Sequence, residues 1–338
     1  MSLARTLAFT LVFTAACGAD TTPGPTGPTA TQACTALAQA ECARRDACSN
    51  HFLIGRVYGD LATCEQRVRD ACVTSLAAHG TGQTPSNVQA CATAYPSIAC
   101  ADYFNNTNLP ASCFAQPGTL ANGAACRYAS QCQSAFCAVP TGTSCGVCAA
   151  RPAAGAPCNG PGAPVGCGGH GLTCVGETAT APGTCVALGA MGATCDLSHP
   201  CGSGLSCTPV AIAAPSRTCQ PAGAEVGVAC GGASASGCDN ERGLACNTMS
   251  RTCQNITLVA AGAACGVGAD GGFSSCANSG DCMGYTLATL RGTCRATAAD
   301  GAACDRAAGP YCRTPASCVT PASGGAATCA LPSSASCG

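Results

Sequence analysis

Apolar positions along the chain change their spacing three times, and each change predicts a different kind of element. Residues 7–16 form a nearly continuous apolar run behind a single charge at Arg5. That run is too short to span a bilayer and has the length of a secretory h-region, so residues 1–16 read as an export leader. Residues 17–31, with Thr22-Pro23-Gly24-Pro25-Thr26-Gly27-Pro28-Thr29, have no apolar period and read as an extended tether. Over residues 32–117 apolar side chains recur at helical spacing. One helix is expected over about residues 31–47. A second is capped by Asp60, with Leu61, Cys64, Val68, Cys72 and Leu76 in one stripe and Glu65, Gln66, Arg69 and Asp70 facing water. Glu65 and Arg69 stand at i,i+4, the spacing of an ion pair. A third helix starts at Thr84 with Pro85 in its first position, carries Val88 and Cys91, and stops before Pro96. Beyond residue 118 alternation dies within a few residues, which predicts short two-stranded ribbons and turns with almost no helix.

Cysteine spacing gives the helical segment its expected cross-links. Cys34 and Cys42, like Cys64 and Cys72, are separated by seven residues, about two helical turns. Two antiparallel helices stapled twice then predict Cys34–Cys72 and Cys42–Cys64. The arrangement resembles the twin-cysteine hairpins of mitochondrial intermembrane-space proteins. Cys48, Cys91, Cys100 and Cys113 close the remainder, with their partners left open.

Residues 118–338 repeat. Each unit opens on Gly-small-x-Cys, with cysteines at 126, 158, 195, 230, 265 and 304. Its middle is often Gly-Leu-x-Cys, as at Cys174, Cys207 and Cys246, and it closes on Thr-Cys at Cys185, Cys219, Cys253, Cys294 and Cys329. Five units of four cysteines, among them Cys167, Cys201 and Cys238, follow an irregular first unit of Cys126, Cys132, Cys137, Cys145 and Cys148, and a seventh unit is expected to begin at Cys337. A unit of about 36 residues is too small to fold on a core of its own, so bridges must replace the core. In Gly-Leu-x-Cys the Leu shares a strand face with the Cys two residues on and is placed to cover a bridge.

Composition agrees. Of 338 residues 35 are Cys, whereas Leu, Val, Phe and Ile together number 45, too few for an ordinary core. The fold class expected is small and disulfide-rich, a helical module followed by a β-ribbon array. Charged residues are 9%, all 15 basic residues are Arg, and the net charge is −1, which gives neither nucleic acid nor anionic lipid a basic surface to bind. The odd cysteine count has a tidy explanation, with ordinary signal-peptidase cleavage as the alternative reading of the same leader. Phe13-Thr14-Ala15-Ala16-Cys17 resembles the bacterial lipobox, which implies diacylglyceryl modification of Cys17, and removing Cys17 leaves an even number of cysteines for pairing. Gly18 after that cysteine favours outer-membrane sorting by the same resemblance.

The array resembles the cysteine-rich repeats of myxobacterial lipoproteins, some of them similar to the Dickkopf N-terminal cysteine-rich module, and the first unit carries most of that likeness. The resemblance implies an extracellular or envelope protein partner. The expected function is therefore that of a non-enzymatic envelope lipoprotein acting as a structural, adhesive or protein-binding module. It would be held on the bilayer by its lipid, with no cofactor and no metal. The rival expectation is a protease inhibitor or ligand trap, with Arg127, Arg217 and Arg251 as candidate anchors. Other motifs read as structural. Cys145-Gly-Val-Cys148 lacks a thioredoxin-like setting. His51, His79, His170 and His199 have no metal-ligand spacing. Gly266-x-Gly268-x-x-Gly271 lacks the strand and helix of a phosphate cradle. Asp270 and Asp281 are too isolated for an EF-hand, and the sequons at Asn105 and Asn255 read as incidental.

Overall fold

The computed structural model describes residues 27–338, except 141, 160–165, 179, 210–215, 232–236, 287, 307, 322–323, 334–336 and 338. The leader, Cys17 and most of the tether lie outside the described residues.

Five α-helices come first: α1 (Ala30–Ser49), α2 (Phe52–Val57), α3 (Leu61–Leu76), α4 (Pro85–Ala94) and α5 (Cys100–Asn105). The long first helix begins two residues inside the expected tether, because Thr29 and Gln32 form a capping box that satisfies each other's backbone donors. Asp60 caps α3 by accepting from the Thr63 N–H at 2.7 Å, and Thr84 caps α4 ahead of Pro85. Cys34–Cys72 and Cys42–Cys64 join α1 to α3, Cys48–Cys100 joins α1 to α5, and Cys91–Cys113 ties α4 to the segment that follows. Ala33, Cys34 and Val88 are buried with Leu37, Val73 and Leu76 packed on them, while Cys42 and Cys64 sit with Ile54 and Tyr58. Two details of the expected α3 differ. Leu61, at the helix start, is 39% exposed. Arg69 bonds to its neighbour Asp70 at 2.9 Å rather than to Glu65, a contact that needs no reach across a helical turn.

Strands begin at residue 125, and from there six units share one covalent plan. With Cys145 set aside, the first cysteine pairs with the third and the second with the fourth: 126–137 and 132–148, 158–174 and 167–185, 195–207 and 201–219, 230–246 and 238–253, 265–282 and 276–294, 304–318 and 312–329. The third and fourth cysteines face each other across an antiparallel pair, as at Cys174↔Cys185, Cys207↔Cys219 and Cys246↔Cys253. The opening glycine has a mechanical role that its recurrence only hinted at. Gly192, at φ +81°, completes a tight turn and donates its N–H to the Cys219 carbonyl at 2.8 Å, while Cys219 N–H returns a bond to Ala193. The same reciprocal bonds fix Gly123 and Cys148, Gly155 and Cys185, Gly227 and Cys253, Gly262 and Cys294, and Gly301 and Cys329. Leu244 of Gly-Leu-x-Cys lies buried against Cys230, Cys238 and Cys253, and Leu172 covers the corresponding bridges of the second unit.

The ribbons are wider than two strands in three units. The first two have three-stranded sheets, and the fifth has five strands, because Thr257–Val259 from the linker pairs in parallel with Phe273–Cys276. That pairing is the longest form of a recurring joint. The linker ahead of a unit bridges in parallel to its second cysteine at Leu120↔Cys132, Gly189↔Cys201, Gly223↔Cys238 and Ala298↔Cys312. The linker also bonds backwards, with Ala222 N–H donating to Gly204 and Ile256 N–H to Gly243. From the second unit onward, successive units are therefore hydrogen-bonded junction to junction.

Candidate functional site

Every cysteine among the described residues is disulfide-bonded, in seventeen pairs. One pair corrects the repeat count. Cys337 does not open a seventh unit. It bonds to Cys145 across a sequence separation of 192 and so completes the irregular first unit from the far end of the chain. Cys148, the other half of Cys145-Gly-Val-Cys148, pairs with Cys132 instead. Two hydrogen bonds accompany the closure: Arg306 donates to the Gly142 carbonyl at 2.6 Å and the Tyr128 hydroxyl to the Pro332 carbonyl at 2.9 Å.

The units lean on the helices in sequence. Gln131 of the first donates to the His79 carbonyl, and Gly82 N–H donates to Ser130 at 2.7 Å. In the second, Gly171 N–H donates to the Asn105 carbonyl and His170 stacks on Phe114 at 4.2 Å. Ser203 N–H of the third donates to the Asn105 side chain at 2.8 Å. The fourth brings Gly243 so close to Phe52 that a Cβ there would lie 2.5 Å from the ring. The fifth bonds through Asn278 and Ser279 to the backbone of Gly55 and Val57. At the turn into the sixth, Asp300 makes a two-pronged ion pair with Arg67 at 3.0 Å, and Arg67 donates again to the Arg313 carbonyl. The six units thus form a ring around a helical hub, fastened by Cys145–Cys337.

Trios such as Cys126, Cys132 and Cys137, or Cys158, Cys167 and Cys185, hold their sulfurs within 4.8 Å of one another. Such spacing suits a metal, but these sulfurs are spent in bridges and offer no thiolate. Of the three candidate anchor arginines, Arg127 is half-buried and donates to the Ser144 carbonyl, and burial lowers its pKa. Arg251 sits at φ +56° and donates to the Gly231 carbonyl, so its backbone is not the extended segment a protease cleft requires. Arg217 is exposed at the start of the strand Arg217–Pro221. Gly266 lies within the strand Ala264–Val267 and Gly268 and Gly271 in the turn to Phe273–Cys276, with a strand where a phosphate cradle needs a helix.

Two polar clefts were not legible in the sequence, since their residues come from distant segments. In the first, between α5 and the third and fourth units, the Ser203 hydroxyl donates to the Glu241 carboxyl. Burial, with help from the negative charge of Asp239, pushes the Glu241 pKa up to about 7. Asp239 itself accepts from the N–H groups of Glu241 and Arg242.

The second lies in the hub and is a cavity of about 290 Å³. Glu41 and Arg45 of α1 line one end, and Leu53, Tyr95, Phe104 and Leu109 are among its walls. Arg45 donates through Nε to the Tyr103 hydroxyl at 2.9 Å, through Nη1 to the Tyr58 hydroxyl at 3.2 Å, and through Nη2 to Glu41 at 3.4 Å. Its guanidinium also sits 5.5 Å from the Tyr58 ring centre. Burial works against the charge on Arg45, but Tyr103, Tyr58 and Glu41 outweigh it and raise its pKa. Burial raises Glu41 against the opposing pull of Arg45, and it pushes Tyr103 up to about 12.

Architecture and bonding define a disulfide-rich molecule whose repeats are closed into a ring. No protein-family model, no curated protein and no solved structure matches the chain.

Proposed function

We propose that the chain is an exported, non-enzymatic binding module of the cell envelope, lipid-anchored through Cys17, with the helical module of residues 32–117 as the hub of the repeat array of residues 118–338. The observation that carries this reading is the complete pairing of the described cysteines. A fold whose core is made of bridges needs an oxidising compartment to form and to persist. No helix among the described residues is long and apolar enough to cross a membrane, and a lipidated cysteine supplies attachment without one. A ring with hydrogen-bonded junctions presents a fixed surface, which favours binding over service as an extended spacer. By the resemblance at the leader the anchor belongs in the outer membrane.

Metabolic labelling with an alkynyl fatty acid tests the anchor. The wild-type chain takes up label in a mature peptide beginning at Cys17, and Cys17→Ser does not. A mature chain cut elsewhere and free of acyl mass defeats the anchored reading. Saturable retention of the oxidised chain, but not the reduced and alkylated chain, on isolated envelopes tests binding. Equal retention of both defeats it. The inhibitor reading rests on Arg217 as the exposed candidate. It requires that the chain inhibit a trypsin-like protease and that Arg217→Ala abolish the inhibition.

A further inference from the structure

We propose that the hub cavity beside Arg45 binds a small carboxylate with a flat apolar body, such as an aryl acid. Its polar end has more donors than acceptors. A guanidinium carries five N–H groups, and Arg45 commits three of them, to Tyr103, Tyr58 and Glu41. Of the two tyrosine hydroxyls that accept from Arg45, that of Tyr103 belongs to the lining and keeps its own proton to donate, while Tyr58 stands outside it. The Tyr95 hydroxyl has no hydrogen-bond partner among the described residues. The one carboxyl in the lining, Glu41, is already engaged by Arg45. A carboxylate offers a further charged acceptor, with two oxygens for the uncommitted Arg45 N–H groups and tyrosine hydroxyls, whereas a cation offers those donors no acceptor.

Size and walls set the rest of the ligand. About 290 Å³ is room for roughly nine or ten waters, near the lower limit of pockets that enclose organic ligands. Tyr95, Tyr103 and Phe104 stand edge to face, with ring centres 5.9 and 5.0 Å apart, and Leu53 and Leu109 complete a wall suited to a ring or short hydrocarbon. The site is independent of the lipid anchor, so the two readings fail separately.

The test uses the full-length oxidised chain with benzoate as probe and benzamide and benzylammonium as controls. The chain has no Trp and only six Tyr, two of which, Tyr95 and Tyr103, line the cavity, so a near-ultraviolet tyrosine change accompanies occupancy and calorimetry gives the affinity. Benzoate is expected to perturb that signal and to bind at least about tenfold more tightly than benzamide, with no binding of benzylammonium. Tyr95→Phe keeps the ring and weakens benzoate several-fold, and Leu109→Trp fills the cavity and abolishes binding while the far-ultraviolet spectrum stays native. Benzamide or benzylammonium binding as well as benzoate, benzoate binding unchanged in Leu109→Trp, or no benzoate signal at about 10 mM each overturns the proposal.

Discussion

At the scale of single residues, the opening glycine of each unit works through its backbone alone. A Cβ at Gly192 would meet nothing within 4 Å, yet the residue holds φ +81°. Gly192→Ala is therefore expected to destabilise by roughly 1–2 kcal/mol from left-handed strain without any clash, read as a fall in the thermal midpoint of the oxidised chain. Gly243→Ala meets the same strain and the Phe52 ring as well, and is expected to cost more. Glu241 gives a pH signature. Its folded pKa of about 7 lies above the ordinary carboxyl value of 4.5, so the folded state binds more protons than the unfolded chain between those limits. Stability from this group is present below about pH 4.5 and is lost as the pH rises through about 7. Glu241→Gln should flatten that decline in thermal midpoints measured from pH 4.5 to 8, and an unchanged slope would remove Glu241 as its source.

At the scale of elements, caps and staples set the helices and bridges set the ribbons. Asp60→Ala removes the α3 cap and is expected to cost about 1 kcal/mol, visible as faster amide exchange at Thr63 while Cys42–Cys64 still holds the first turn. This is also the scale at which the sequence was most legible. Asp60, Thr84-Pro85 and the paired cysteine spacings report α3, α4 and the two staples directly, because caps and two-turn spacings are local. The short helices α2 and α5 left no such trace: each has six residues, too few for a period to show, and each is held by Ile54 in the hub core or by Cys48–Cys100. The extra strand at Thr257–Val259 was illegible for a different reason. Its partner is in the unit beyond, and a sequence pattern shows that a segment is extended but not which neighbour it joins.

At the scale of the whole molecule, the deciding bond is Cys145–Cys337. Spacing presented Cys337 as the start of another repeat, and only the return of the chain to its first unit gives it a partner. The hub cavity and the cleft at Glu241 were hidden in the same way, since Arg45 meets Tyr103 across 58 residues and Ser203 meets Glu241 across 38. Replacing both Cys145 and Cys337 with Ser should open the ring while leaving each unit's two bridges intact. The expected result is a larger radius of gyration in solution scattering and loss of amide protection around Asp300 and Arg67. The cost is ~5 kcal/mol at most, reduced by the bridges already inside the loop. An unchanged radius and unchanged protection would mean that contacts with the helices hold the ring without the bond. Closure also alters what a peptidase can achieve. A single cut in the stretch joining two repeats severs the main chain, but the two halves stay connected through the one sulfur link between the ends of the array. Nicked molecules should run at full mass until reductant is added, and shedding part of the wheel requires two separate injuries.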